Sequence, residues 1–488
     1  MTAAPPAERF SIVVPSGSLD ATLRWMKVLL VSHNYPPRHL AGTEVYTANL
    51  ARELIRRGHT VLVFTSEKEV SLPHGSSRER EHEGVPVLEV INNLHYKNFK
   101  ETWDLPAVDR IFEDTVQRFA PDVVHIQHLM YLSVGIAEMA AAQGAGVVYS
   151  LHDFWLECPR FGQRVHAEGS ICHTINVARC AECLASSRLG NSALEQRVGG
   201  FLAALRSATG VDLAAPVRLA GDWLRARGEK TGVASDPVQL AGLEADLRER
   251  AEGLRSRLLP VVDRFLAPSA FLARELGAWG LPREKLTHLK SGVDIDALQA
   301  APKSPRGKNL RVGFLGTLAP IKGAHILLGA WARLSPEACA RGELVIHGPS
   351  TRDLEYAGRL QELAAKSSAR VAGALARDEV PGALARIDLL VVPSLWYENQ
   401  PLVILEALAV RTPVLVSDLG GMAELVHDGR EGFRFPVGDE EALAELLEGL
   451  LQEPERLDGL FASAPDVPSL AEQTDAILKV YDSVRGAR

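Results

Sequence analysis

The chain has 488 residues, 46% of them hydrophobic and 23% charged, the composition of an ordinary globular protein rather than of a disordered or fibrous one. That length exceeds what a single core organises, so two domains are expected, with room for an insertion. Lys+Arg 53 against Asp+Glu 61 gives a formal charge of -8, which offers no basic field to a phosphate backbone and excludes nucleic acid as an expected partner.

No apolar run reaches the ~20 residues needed to cross a bilayer, and the first residues lack the charged start and sustained apolar core of a secretory signal. A cytoplasmic protein is therefore expected, with residues 1–25 a flexible leader and Met26 opening the folded part. Residues 27–32 are built on the apolar run Val28-Leu-Leu-Val31, as in a parallel strand buried on both faces, and 43–57 then carry helical spacing that stops at Gly58. Residues 60–65, 122–127 and 147–151 read as further strands with helical stretches between them. Alternation of this kind predicts a doubly wound α/β domain.

Ser150-Leu-His152-Asp153 ends one of those strands, and open α/β sheets hold their ligands at strand ends, so His152 is expected to face a cleft. His125 and His128 end another strand and are candidates for the same cleft or for structural roles. From about 158 to 257 the rhythm breaks. Cys158, Cys172, Cys180 and Cys183 cluster there, away from Cys339, and the last pair is a Cys-x-x-Cys. Clustered thiols in a cytosolic chain favour a metal over disulfides, so structural Zn²⁺ on these four is expected, with plain reduced thiols or redox and iron–sulfur chemistry as alternatives. The stretch beyond residue 184 reads as an amphipathic helical hairpin packed on the first domain, or as a surface for acceptor or membrane.

Residues 300–309 form the best linker, and beyond them the strand and helix grammar restarts. Residues 310–315, 344–347, 387–392 and 412–417 read as strands, with helices over 323–334 and 440–451. The domain division expected is 26–300 and 301–488. Gly316-Thr-Leu-Ala-Pro-Ile-Lys322-Gly323 follows a strand and opens a helix, where a lysine and free backbone N–H groups meet phosphate. Glu398-Asn-Gln-Pro-Leu-Val-Ile-Leu-Glu406 follows the next strand and enters another helix, which sets two carboxylates along one crevice wall. No Asp-x-Asp metal signature accompanies either segment.

The order of these pieces resembles the GT-B glycosyltransferases, most closely the retaining group called family four, or glycosyl transferases group 1, in a subgroup with a cysteine-bearing insertion. The resemblance covers nearly all of the chain outside the insertion. It implies two Rossmann-like domains facing a cleft, the first on the acceptor side and the second binding a nucleotide-sugar. The last helix would pack back on the first domain. By the same resemblance Lys322 binds the diphosphate, Glu406 the ribose hydroxyls, and Glu398 lies near the transferred sugar, with His152 orienting that sugar. Backbone groups of Gly316, Thr317, Asn399, Gln400, Leu402 and Val403 would complete the donor site, and Gly373 and Leu375 sit where a base-binding loop belongs. Pro401 has no N–H to give.

Two departures stand out: Thr317 occupies the place of an arginine, and Ala41 precedes Gly42 where two glycines are usual, leaving Gly42 for phosphate contact. The implied chemistry is same-face substitution with retention, the leaving diphosphate being stabilised by Lys322 and helix N-termini without a catalytic metal. The implied acceptor is a glycolipid or polysaccharide precursor, placing the enzyme at the inner face of the membrane. A sugar-nucleotide epimerase or hydrolase, and a non-catalytic nucleotide-sugar-binding protein, are the rival readings.

Overall fold

The computed structural model describes residues 25–187, 189–191, 193–210, 236–350, 353–463 and 465–486. The expected leader, apart from Trp25, and the middle of the insertion lie outside these residues. The first sheet contains β1 (Lys27–Ser32), β2 (Thr60–Glu67), β3 (Ser77–His82), β4 (Val85–Ile91), β5 (Val123–Ile126), β6 (Gly146–Ser150), β7 (Arg264–Ala267) and β8 (Leu286–His288). They are arranged in the order β3-β4-β2-β1-β5-β6-β7-β8, all parallel except the antiparallel β3–β4 pair.

Strands β5 and β6 are buried along their whole length, which is why their sequences are unbroken runs of mainly apolar residues. β3 is different: Ser-Arg-Glu-Arg-Glu-His alternates exposed and half-buried positions at the sheet edge, where charge blocks pairing with other chains. Its Arg78 and Arg80 both hold the buried Glu89 of β4.

The second sheet contains β9 (Leu310–Leu315), β10 (Gly342–His347), β11 (Arg370–Gly373), β12 (Leu389–Val392), β13 (Val414–Ser417) and β14 (Gly432–Phe435). Its order is β11-β10-β9-β12-β13-β14, parallel throughout. The expected architecture of two doubly wound parallel-sheet domains is therefore present. In each sheet the strand order reverses once, between β1 and β5 and between β9 and β12, and a crevice opens at the carboxyl ends of strands flanking such a reversal. His33 follows β1 and Gln127 follows β5, while the Lys322 loop follows β9 and the Glu398 loop follows β12.

One buried cluster runs through both halves, joining Leu29, Ile126 and Phe154 to Tyr397, Ile404 and Met422. The chain crosses between domains twice. The second crossing leads into the helix Leu470–Val484, whose Ile477, Leu478, Tyr481 and Val484 complete a core with Val28, Leu50 and Val148 of the first domain. Gln473 Nε2 donates to Tyr46 Oη at 2.6 Å, and Arg57 pairs with Asp475.

Within the insertion the expected helical character is present in Val177–Ala185, Ala193–Thr209 and Pro237–Val261. The last of these packs on the first domain through Leu254 and Leu258 and meets the cysteine-bearing helix through Leu247.

Candidate functional site

The Lys322 loop is shaped by one glycine. Gly323 has φ +72°, and a Cβ there would lie 1.9 Å from the Pro393 carbonyl oxygen, so only glycine lets the turn Pro320–Lys322 press against the end of β12. The Leu395 N–H donates to the Ile321 carbonyl at 2.8 Å and joins the two loops. Lys322 Nζ then reaches Glu398 Oε1 at 2.5 Å and lies 4.8 Å from the centre of the Trp396 ring. The same Glu398 oxygen accepts from Ser394 Oγ at 3.0 Å and Trp396 Nε1 at 2.8 Å. Three donors on one oxygen fix a buried carboxylate at the crevice wall.

The backbone beneath is held from behind by the Gly420-Gly421 pair. Gly421 N–H donates to the Glu398 carbonyl at 2.8 Å, and a Cβ on Gly421 would fall 1.8 Å from the Asn399 carbonyl oxygen. Pro401 caps the helix Leu402–Ala409, leaving the amides of Leu402 and Val403 at its open end. Glu406 sits in that helix, 2% exposed, and is bridged by Arg377. Burial pushes the Glu406 carboxyl above its ordinary value, opposed by the guanidinium.

Arg377 is the site residue that the sequence reading missed. It stands on the short turn Arg377–Glu379, four residues past Gly373, and supplies a cation in a crevice where Thr317 does not. Its only sequence signal is that proximity. Gly373 ends β11 with φ +81° and open space around its Cα, while Leu375 packs against the interdomain core. Thr317 accepts a backbone bond from Ala319, and Gly316 donates to the His347 carbonyl, so these two shape the loop.

The first domain contributes from the opposite wall. Asn399 Nδ2 donates to the His152 carbonyl at 2.9 Å, bringing the two expected motifs into contact. The His152 ring bonds Gln127 Oε1 at 2.9 Å and packs edge-on at 4.9 Å against Tyr46, which belongs to the helix Gly42–Arg56. Desolvation, with a smaller push from His128, drives the His152 pKa down to about 3, so the ring is neutral at physiological pH.

Asn399 Oδ1 and Gln127 Nε2 are both buried without a partner among the described residues. An unpaired buried polar atom costs ~1–3 kcal/mol, and a polar ligand in the cleft would relieve it. Gly42, the first residue of its helix, is exposed, and a Cβ added to it would meet no atom within 4 Å, so this helix end is open.

Four further groups line the first-domain side. His33 Nε2 lies 3.4 Å from Glu44, and its ring is 4.5 Å from that of His128. His128 Nδ1 accepts the Met130 N–H at 2.9 Å, so Nε2 carries the proton it donates to Asp153 at 3.0 Å. His125 turns the other way: fully buried, it bonds Tyr481 at 2.6 Å and Ser150 at 2.8 Å, and so ties a strand to the helix Leu470–Val484 rather than lining a cleft.

Gln400 is also committed, its Oε1 accepting the Ser291 N–H at 2.6 Å. The run Asp294-Ile-Asp296 has the form of a metal signature, but Asp294 caps the helix Ile295–Ala300 through the Ala297 amide. The four clustered cysteines surround one small cavity, yet among the described residues no group of three or more His, Cys, Asp or Glu side chains stands at metal-binding spacing.

Residues 41–197 match the family described as glycosyl transferase 4-like domain, and residues 309–453 the family described as glycosyl transferases group 1. The D-inositol 3-phosphate glycosyltransferase of Thermobispora bispora is 30% identical over 224 residues, covering 43% of this chain and 52% of the relative. The GDP-mannose-dependent alpha-mannosyltransferase of Mycobacterium tuberculosis is 33% identical over 237 residues, covering 47% of this chain and 58% of its own. The matches thus span about half the length of these curated relatives. Among solved structures, Anabaena HepE in complex with UDP and glucose superposes with a TM-score of 0.60 at 18% identity, over 94% of this chain and all of that one. Sucrose-phosphate synthase from Thermosynechococcus elongatus gives 0.58 at 16% identity, over 95% of each. The fold is GT-B.

Proposed function

We propose that this chain, a GT-B protein built from a glycosyl transferase 4-like domain and a glycosyl transferases group 1 domain, moves a sugar from a nucleotide-sugar to an acceptor with retention of configuration. One observation carries the reading: Asn399 of the donor loop grips the His152 carbonyl across the cleft while its Oδ1 stays unpaired, beside the Lys322–Glu398 pair. Relatives include a GDP-mannose-dependent transferase, and HepE was solved with UDP and glucose, which supports a nucleoside-diphosphate sugar as donor.

Lys322 faces the departing diphosphate, joined by the amides of Leu402 and Val403 at a helix N-terminus. Glu406 takes the ribose hydroxyls once Arg377 turns aside. Neutral His152 offers its ring to the sugar. Glu398 is already committed to three donors, so it positions Lys322 and the sugar and does not attack; departure and acceptor entry occur on one face. Zn²⁺ has no part in this step. The acceptor we assign is a glycolipid or polysaccharide precursor reaching the first-domain wall at the cytoplasmic membrane face. The exposed Val198 and Phe201, with Val70 packed beside Gly199, support an apolar acceptor tail.

Lys322→Ala removes the diphosphate cation and is expected to lower kcat/KM for transfer ~100-fold or more, in a coupled assay for nucleoside diphosphate release with a panel of sugar donors. Unchanged turnover would sink the assignment. Release without acceptor dependence would favour a hydrolase, and donor binding without release a non-catalytic binder.

A further inference from the structure

The cysteine-bearing segment is a small folded arm. Cys158 ends a turn in which its N–H donates to the Phe154 carbonyl at 2.7 Å. A hairpin follows, closed by the Val165–Ile171 bridge, and it delivers Cys172, whose N–H donates to the Arg164 carbonyl at 2.8 Å. Cys180 and Cys183 stand three apart on the helix Val177–Ala185 and so share a face. All four line one cavity of about 20 Å³, together with His166, Arg160 and Arg179. That volume holds one water-sized or ion-sized occupant. Gathering four polarisable sulfurs, Cys158 and Cys183 buried and Cys172 and Cys180 half-buried, around a single-ion cavity has no packing rationale; ordinary core cysteines scatter among apolar neighbours.

The arm also reaches the donor loop. His173, next to Cys172, bonds Tyr397 Oη through Nδ1 at 2.7 Å. Arg164, 3% exposed, is paired with Glu157 and Glu275, bonds the carbonyls of Cys172 and His173, and lies 5.1 Å from the Tyr397 ring centre. Phe271 stacks on that ring at 5.2 Å. Tyr397 is the residue before Glu398.

We propose that Cys158, Cys172, Cys180 and Cys183 form a closed tetrahedral Zn²⁺ site, and that the metal fixes the arm so that His173 and Arg164 hold Tyr397 and the donor loop in register. Binding releases the thiol protons to solvent, and the resulting doubly negative Zn-tetrathiolate is balanced by Arg160 and Arg179. The four sulfurs do not stand at metal-binding spacing in this structure, so binding requires the hairpin and helix to close on the ion. The coupling to donor binding rests on the transferase reading; the metal site does not.

Elemental analysis of the full-length protein, purified under reducing conditions without chelator, tests the site directly. One Zn per chain is expected, lost in Cys180→Ser/Cys183→Ser. Should that variant not fold, Co²⁺ added to chelator-treated wild type decides, with the intense near-ultraviolet absorption of thiolate-bound cobalt expected. Absence of both zinc and the cobalt signal, or bound iron in place of zinc, overturns the proposal. His173→Ala tests the coupling: it should keep its zinc while the donor KM rises ~10-fold, the equivalent of one lost hydrogen bond, with kcat nearly unchanged. Zinc retention with an unaltered donor KM would remove the coupling and leave the metal site standing.

Discussion

Glu406 and Arg377 show how far single residues can be read without a structure. The spacing of Glu398 and Glu406 marked both carboxylates, since a helix entered through Pro401 needs them on one wall. Arg377 gave no such mark: it lies 29 residues from Glu406 in sequence and arrives through a turn after β11. Its effect has a definite sign. The guanidinium lowers the Glu406 pKa against the upward push of burial, so Arg377→Ala lets that pKa rise further. Protonated Glu406 is a poorer acceptor for ribose hydroxyls. Binding of the nucleoside diphosphate by the variant should therefore fall away at a higher pH than in wild type when titrated calorimetrically between pH 8 and 5. A pair of superimposable pH profiles would dismiss the contact as a surface ion pair.

Helices and strands were legible wherever apolar periodicity was strong: β1, β9 and the helix Gly42–Arg56 emerge nearly as read. The β3–β4 hairpin was not foreseen, because β3 is an edge strand of charges without alternating hydrophobicity. Strands β7 and β8 were missed for another reason, being short and lying beyond the insertion. The loops at strand ends follow from glycine geometry, and two glycines make opposite predictions. Gly323→Ala meets the Pro393 carbonyl in a left-handed turn and should cost ~2–4 kcal/mol by denaturant melts, with Lys322 displaced and donor binding lost. Gly42→Ala has open space and an ordinary backbone, so stability should stay within ~0.5 kcal/mol; any loss of activity there reports ligand contact alone.

At the scale of the molecule, the two domains are joined by a shared core and by the helix Leu470–Val484. Tyr481 is completely buried in the first-domain core and bonds His125. Tyr481→Ala should cost ~3–5 kcal/mol, read as a lower melting temperature of the first domain's transition. Acid sensitivity follows from the same place. Burial lowers the His125 pKa to about 3, whereas an unfolded histidine takes its proton near 6.5. Between those values only the unfolded chain binds that proton, so stability falls as pH drops below 6.5, by ~1.4 kcal/mol per unit for His125. Melting at pH 7 and pH 5 measures this, and His125→Gln should flatten the slope.

The His125–Tyr481 bond joins positions 356 residues apart. During synthesis the first sheet emerges early, and the part of its face where Val28, Val148 and Leu266 meet Ile477, Leu478, Tyr481 and Val484 gains that cover only when residues 470–484 leave the ribosome. That patch of the nascent first domain therefore waits for its cover for most of a translation cycle. Its order of birth is the reverse of its order of completion, so this face of the first sheet is closed only after the entire second domain has been made.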